Sequence, residues 1–493
     1  MQGLKHCLVA LCLCGAFTTI APAQQIKWSM PMKDDNQLRF MKILGSDDEH
    51  FYILRSNMPF SSAREKSGFK SRKFQLASYT QNMALHWDKA LAPSVTNGHI
   101  LDVRLVNGKL LVSSYVLGKD HSYTLYLQYL DDLGNYSGNP VKADEIMAEK
   151  VEDNKPDIVL SKNESLLALA FSLDRDKEQF VHVIACDTLL NPVFRKDIDP
   201  GLDRTFTALD MALSDSGDVY LLGTLHAEGK KQKDVSSDSY GLVSYMRKGD
   251  KVVSKNLDGG GKLLTDAGLA VDNRNNLAIV SGFYSTSNVT QAAGIFYFSM
   301  SATTGETTMK SAPFSADFLK KTVRGQKEEN KEISNYSIDR ILVRRDGGAV
   351  LVAEAYSTYS RSYYDYYTQM LVSHTYYNYG SIITLSVNPD GSILWSDLLN
   401  KEHNSVDDNG YYSSYCSAVY RARMYYIYNK YIESKTSVLL TVVASNGDQQ
   451  TMVLFNQMDN IVAIPKAAKQ IEEDVLLMPA YKENEMCIAR ISF

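Results

Sequence analysis

A short run of apolar and small residues recurs along the chain. It reads FYILRS from Phe51, LLVSSYV from Leu110, LLALAFS from Leu166 and VYLLGTL from Val219. It returns as LAIVSGFY from Leu277, AVLVAEAY from Ala349, MYYIYNKY from Met424 and VLLMPAY from Val475. Each run is short, and together they are rich in β-branched and aromatic residues, which predicts buried strands. Most follow a turn signal such as VNGK, SKNES, SDSGD, DNRNN or RRDGG. The Gly, Asn and Asp in these signals tolerate the positive φ of a tight hairpin. A second strand follows each run: KFQLASY, TLYLQYL, VHVIACD, GLVSYM, GIFYFSM, SIITLSV, SVLLTVV and MCIARISF. Turns such as NPDG (Asn388–Gly391) and SNGD (Ser445–Asp448) then lead into a further strand. The unit is four antiparallel strands over roughly 50 to 75 residues, the scale of a propeller blade. No long stretch has helical periodicity. The expectation is an all-β chain forming a single β-propeller of about eight four-stranded blades, with seven as the alternative.

The last unit reaches Phe493 after its third strand. QIKWSMPM (Gln25–Met32) matches ALHWDKAL (Ala84–Leu91) and ILWSDLL (Ile393–Leu399), which hold the fourth-strand position of their units. All three tryptophans, Trp28, Trp87 and Trp395, thus fall on one strand type. The N-terminal strand is expected to complete the last blade and close the ring, which leaves no open sheet edge between the ends. NPDGSILW resembles the repeat of the quinoprotein-like, tryptophan-docking propellers, in which an Asp-Gly turn precedes a tryptophan on the outer strand; Trp87 carries a partial copy. That family includes eight-bladed dehydrogenases and scaffolding proteins of the bacterial outer membrane. The resemblance implies the fold and assigns no site.

The start of the chain changes the compartment. Lys5 and His6 precede the apolar run CLVALCLCGAFTTI (Cys7–Ile20), and Ala21-Pro22-Ala23 follows. That order predicts a bacterial signal peptide over residues 1–23, leaving residues 24–493 as the propeller. The run is too short to span a bilayer. The protein is expected to be exported to the periplasm, the cell surface or the medium, with peripheral attachment to the envelope as an option. Without Lys5 there are 51 basic residues against 57 acidic ones, a formal charge of −6. This mild acidity, with no long basic tract, argues against a nucleic-acid partner. Cys186, Cys416 and Cys487 follow the leader, each in an apolar context, and read as small buried thiols.

YSTYSRSYYDYYTQMLVSHTYYNYG (Tyr356–Gly380) holds nine of the 31 tyrosines. It links the second and third strands of the sixth unit, as a loop or as a hairpin extending those strands. Propeller geometry puts it on the same face as the next inter-blade connection, Asn400–Tyr415. The long insertions at 56–73, 226–239 and 321–335 share that face. Long loops on a rigid scaffold are common sites of binding, and tyrosine gives large contact area at low entropy cost. The candidate binding residues are Tyr359, Tyr363, Tyr364, Tyr366, Tyr367, Tyr376, Tyr377, Asp407, Asp408, Tyr411 and Tyr412.

Catalytic motifs are sparse. HExxH, GxSxG and paired CxxC are absent. DGGGK (Asp258–Lys262) lacks the glycine and the hydroxyl of a phosphate loop and reads as an inter-blade connection. DDNG (Asp407–Gly410) and Asp174–Asp176 do not match calcium-loop spacing. SDSGDVY (Ser214–Tyr220) resembles the Asp-box turn of sialidase-type propellers but precedes a second strand instead of joining third to fourth. His374 lies within the tyrosine stretch and His403 near Asp407; a histidine–carboxylate pair would suit acid–base chemistry, but both read first as surface loop histidines. No cofactor, metal set or catalytic residue is assigned. The leading expectation is an exported, non-enzymatic propeller that binds a protein or glycan through its tyrosine-rich face. The alternatives are a carbohydrate-active enzyme, a hydrolase or lyase with its site over the central channel, and a scaffold subunit of an outer-membrane complex.

Overall fold

The computed structural model describes residues 24–32, 38–60, 72–119, 122–147, 157–175, 178–226, 239–322, 332–367, 369–433 and 435–493. The expected leader lies outside the described residues, as do most of the insertions at 56–73, 226–239 and 321–335.

The described strands sort into eight antiparallel sheets of four or five strands and one two-stranded ribbon. Seven sheets are continuous in sequence, spanning residues 40–91, 99–147, 157–198, 205–257, 263–313, 336–406 and 416–455. The eighth takes residues 461–492 and adds Gln25–Trp28. The fold is a β-propeller. The recurring apolar runs form the second strand of each of these eight sheets, and their followers the third. Both strands are buried on both faces because neighbouring sheets pack against them. Leu125 and Leu127 of the second sheet meet Leu167, Leu169 and Ile184 of the third. Ile279 and Ile295 of the fifth meet Leu351, Ile383 and Leu385 of the sixth. Cys186, Cys416 and Cys487 are buried free thiols.

The ring closes through the N-terminal strand. Gln25–Trp28 pairs antiparallel with the last strand, Gln25 opposite Ser492 and Trp28 opposite Ala489. Ser29 N–H continues the ladder to Ile488 O at 2.9 Å, and Met32 N–H donates to Met486 O at 2.7 Å. On the inner side, Lys469–Glu472 of the eighth sheet lies beside the innermost strands of the first and seventh. Gln470 bonds both N–H and C=O of Val419 in the seventh sheet at 2.9 Å. Lys469 Nζ donates to Leu44 O of the first sheet at 2.5 Å.

The outer tryptophans brace neighbouring sheets. Trp87 Nε1 donates to Asp132 O in the next sheet's outer turn at 2.8 Å, and Trp395 Nε1 donates to Ser445 O likewise at 2.8 Å. Each ring lies on a turn glycine with positive φ, Gly134 (+74°) under Trp87 and Gly447 (+88°) under Trp395. A Cβ at Gly134 would sit 2.7 Å from the Trp87 ring.

A second brace joins the second and third sheets. His182 Nε2 lies 2.8 Å from Asp144 in the outer strand of the second sheet. Its Nδ1 lies 2.5 Å from Asp197 on the adjacent strand of its own sheet. Burial alone lowers the pKa of His182, but the hydrogen bonds and charges of Asp144 and Asp197 outweigh it and the net shift is upward. A raised histidine pKa contributes stability that is complete below the ordinary value near 6.5 and lost as pH rises through the folded value. His182→Gln is therefore expected to destabilise the protein at pH 6 and to cost progressively less at higher pH. Urea unfolding of both forms from pH 5.5 to 9 measures this, and a difference independent of pH contradicts it.

Candidate functional site

Tyr356–Gly380 is β-structure throughout most of its length. The second strand of the sixth sheet runs on as Ala349–Asp365 and the third begins at Met370, so the pair stands out from the ring as a hairpin. The register runs from Tyr356 opposite Tyr379 to Asp365 opposite Met370. The turn begins with Tyr367 N–H donating to Asp365 Oδ1 at 2.9 Å. The sequence permits this because Tyr359, Arg361 and Tyr363 alternate with Ser360 and Ser362, and Val372, His374 and Tyr376 with Ser373 and Thr375, at the strand period of two. A third strand, His403–Val406, pairs with Tyr376–Tyr379 and makes the projection three-stranded at its base.

The pleat divides the tyrosines. Tyr359, Arg361 and Tyr363 share one face with Tyr376, His374 and Val372 across the ladder. There the Tyr359 and Tyr376 rings stack at 4.8 Å, with the Arg361 guanidinium 5.3 and 5.8 Å from their centroids. Tyr363 stacks on His374 at 5.6 Å. The other face carries a hydroxyl ladder, Ser360 to Thr375 and Ser362 to Ser373, each at 3.1 Å. Tyr364 and Tyr377 lie on that face, and Tyr364 meets Tyr366 edge-on at 5.2 Å. At the tip Tyr366 is 84% exposed and Tyr367 fully exposed.

The carboxylates hold this arrangement together. Asp407 accepts from Thr375 N–H at 2.8 Å and pairs with His374 Nδ1 at 2.5 Å. The His374 bond is the main reason its carboxyl is held below the usual range. Asp408 accepts from Ser405 Oγ at 2.7 Å and Gly410 N–H at 2.8 Å. Tyr377 donates to Asn409 at 3.0 Å. Gly410, at φ +61°, lets this loop cross the Tyr379 ring, which a Cβ there would meet at 2.5 Å.

Two expectations require correction. Tyr411 is 7% exposed, packed with Phe40 in the first sheet's core, and its hydroxyl donates to Arg39 O at 2.8 Å. It fastens the loop to the ring and is not part of a binding surface. His403 is buried and not a surface histidine, and it is His374 that pairs with Asp407. Its Nδ1 accepts from Ser414 N–H at 3.2 Å, so Nε2 carries the proton and donates to Asn429 O at 2.6 Å. Burial, reinforced by Lys401, pushes its pKa down to about 3, so it is neutral and structural.

Beneath the projection lies a buried ion pair invisible in the sequence pattern. Lys401 Nζ is 2.5 Å from Glu354 Oε1, and both side chains are almost fully buried. Ser414 Oγ donates to Glu354 Oε2 at 2.6 Å. Beside the third strand opens a cleft of about 690 Å³, lined among others by Asn404, Val406, Asp408, Tyr412, Val462 and Tyr481. Asp408 and Tyr412 of the expected set belong here, away from the tip tyrosines. The cleft walls come from the sixth, seventh and eighth sheets, so no local signal announces them. Among the described residues no three His, Cys, Asp or Glu side chains gather as a metal set. No described helix is long and apolar enough to cross a membrane.

No protein-family model and no curated protein matches the sequence. Solved propellers are similar in overall course. The WD40 domain of SCAP from fission yeast is 10% identical, with 96% of this chain and 98% of that one covered at a TM-score of 0.41. The Cps50 (Swd1) β-propeller domain of Myceliophteria thermophila is 10% identical, covering 95% and 100% at 0.36. The α-L-arabinanase of Penicillium chrysogenum is 13% identical, covering 68% and 93% at 0.31. These likenesses are too distant to carry a function.

Proposed function

We propose that the protein is an exported recognition module that binds a protein or glycan through the tyrosine-bearing projection and the face around it. The observation that carries this reading is the ordered display of aromatic rings on paired strands. Tyr359, Tyr363, Tyr364, Tyr366 and Tyr367 are all exposed, and stacking, cross-strand pairing and the Asp407 bonds hold the projection that bears them. Rigid aromatic side chains of this kind lose little entropy on binding.

The test is capture from solubilised cell envelope, with a glycan array in parallel. The intact protein is compared with a variant whose residues 359–377 are replaced by a short Gly-Ser linker. The expected result is a protein or glycan retained by the intact form and lost by the variant. Equal retention by both refutes the role of the projection. Turnover of a polysaccharide panel, abolished by a channel-facing acid, would favour the enzymatic reading instead.

A further inference from the structure

One edge of the three-stranded base of the projection faces the cleft. Among the described residues, His403–Val406 pairs with the strand Met370–Val387 alone. Asp407 N–H donates to Thr375 O, so the pairs bonded to the sheet are 375 with 407, 377 with 405 and 379 with 403. By the same alternation, the N–H and C=O groups of Asn404 and Val406 point away from the sheet. Both residues are exposed, and both line the cleft. The outward groups are two residues apart, about 6.5 to 7 Å along the strand. That spacing is the repeat of an extended polypeptide.

The opposite wall supplies what side chains of such a segment need. Tyr412, Ile432, Val462 and Tyr481 make an apolar floor, and Asp408 and Glu433 are the charged residues that line it. Donor–acceptor pairs repeating at the strand period match a polypeptide backbone, not the hydroxyls of a sugar ring. An extended peptide satisfies both the edge and the floor.

We infer that the cleft binds an extended polypeptide segment of four to five residues. The segment adds as a strand along His403–Val406, with alternate side chains on the Tyr412–Tyr481 floor and a basic side chain beside Asp408 and Glu433. This inference rests on the recognition reading above and narrows it to a peptide partner at one site. The backbone edge supplies affinity, and the floor and the acidic pair supply selectivity.

The probe is a displayed library of random decapeptides, selected on the intact protein. Enriched peptides are then resynthesised with N-methyl groups on one or the other alternate set of backbone amides. N-methylation removes donors without altering side chains. Strand addition predicts peptides mixing apolar and basic residues. One methylated set should lose about ten-fold or more in affinity, while the other stays within about two-fold. Val406→Pro should weaken the unmethylated peptide similarly, because it removes an outward N–H and leaves the inner ladder intact. The methylated peptides need no protein variant, so the test does not depend on that variant folding. Failure to enrich any peptide, or equal tolerance of both methylated sets, overturns the inference. If the envelope partner still depends on residues 359–377 in that case, the recognition reading stands and only the peptide site falls.

Discussion

Lys401→Met is expected to destabilise the protein by about 3–5 kcal/mol, a loss typical of removing one partner from a buried ion pair. The Lys401 ammonium is fully buried, and its principal partner is the equally buried Glu354. Burial pushes the lysine pKa down, and the Glu354 charge opposes that shift without cancelling it. Methionine fills the space of the stem but leaves the Glu354 carboxylate with Ser414 as its hydrogen-bond donor. The double variant Lys401→Met/Glu354→Leu removes both charges and should recover most of the loss. Guanidinium unfolding of the single and double variants measures this. A single variant as stable as the parent, or a double variant no better than the single, contradicts the assignment. The pair also sits where the projection leaves the ring, because Lys401 Nζ reaches Tyr379 O at 3.4 Å. Proteolysis should therefore cut the projection of the single variant faster.

Deleting residues 24–32 should be comparably damaging. The strand contributes a four-residue ladder to the final sheet, and Met32 is buried in the core shared with the first sheet. At about 1 kcal/mol per ladder hydrogen bond and about 2 kcal/mol for a buried methionine, the loss is on the order of 5 kcal/mol. It also exposes Glu485–Ser492 as an open edge, so concentration-dependent association should accompany the lower melting temperature. A synthetic peptide spanning Gln25–Met32, added in trans, should restore part of the melting temperature. An unchanged melting temperature and monomeric behaviour after deletion would show that the ring does not depend on this strand.

Much of this architecture is legible in the sequence because it depends on local pattern. The second and third strands announce themselves as compact apolar runs, since packing on both faces demands them. Trp28, Trp87 and Trp395 mark outer strands because each ring needs a neighbouring turn or aromatic ring to lie on. The projection is half legible. The alternation Tyr359-Ser360-Arg361-Ser362-Tyr363 is a strand pattern, yet its polarity also reads as a loop. Its division into an aromatic face and a hydroxyl face follows only once the register is known. What stays hidden is contact between distant segments. Tyr411 carries the same side chain as the exposed tyrosines, and only its packing on Phe40 and Arg39 removes it from the surface. The Lys401–Glu354 pair and the cleft walls join positions scores of residues apart.

The measurement that bears most directly on the proposed recognition role is the Kd, for two forms of the protein, of the ligand captured in the test above. One is the parent, and the other carries Tyr359→Ser, Tyr363→Ser, Tyr366→Ser and Tyr367→Ser. Serine keeps the strands paired and removes the rings, so the projection stays in place without its contact surface. Anchoring tyrosines cost about 1–2 kcal/mol or more each when truncated, so affinity should fall by at least about a hundred-fold. An unchanged Kd, with the projection still folded, would contradict the account and place recognition elsewhere on the ring.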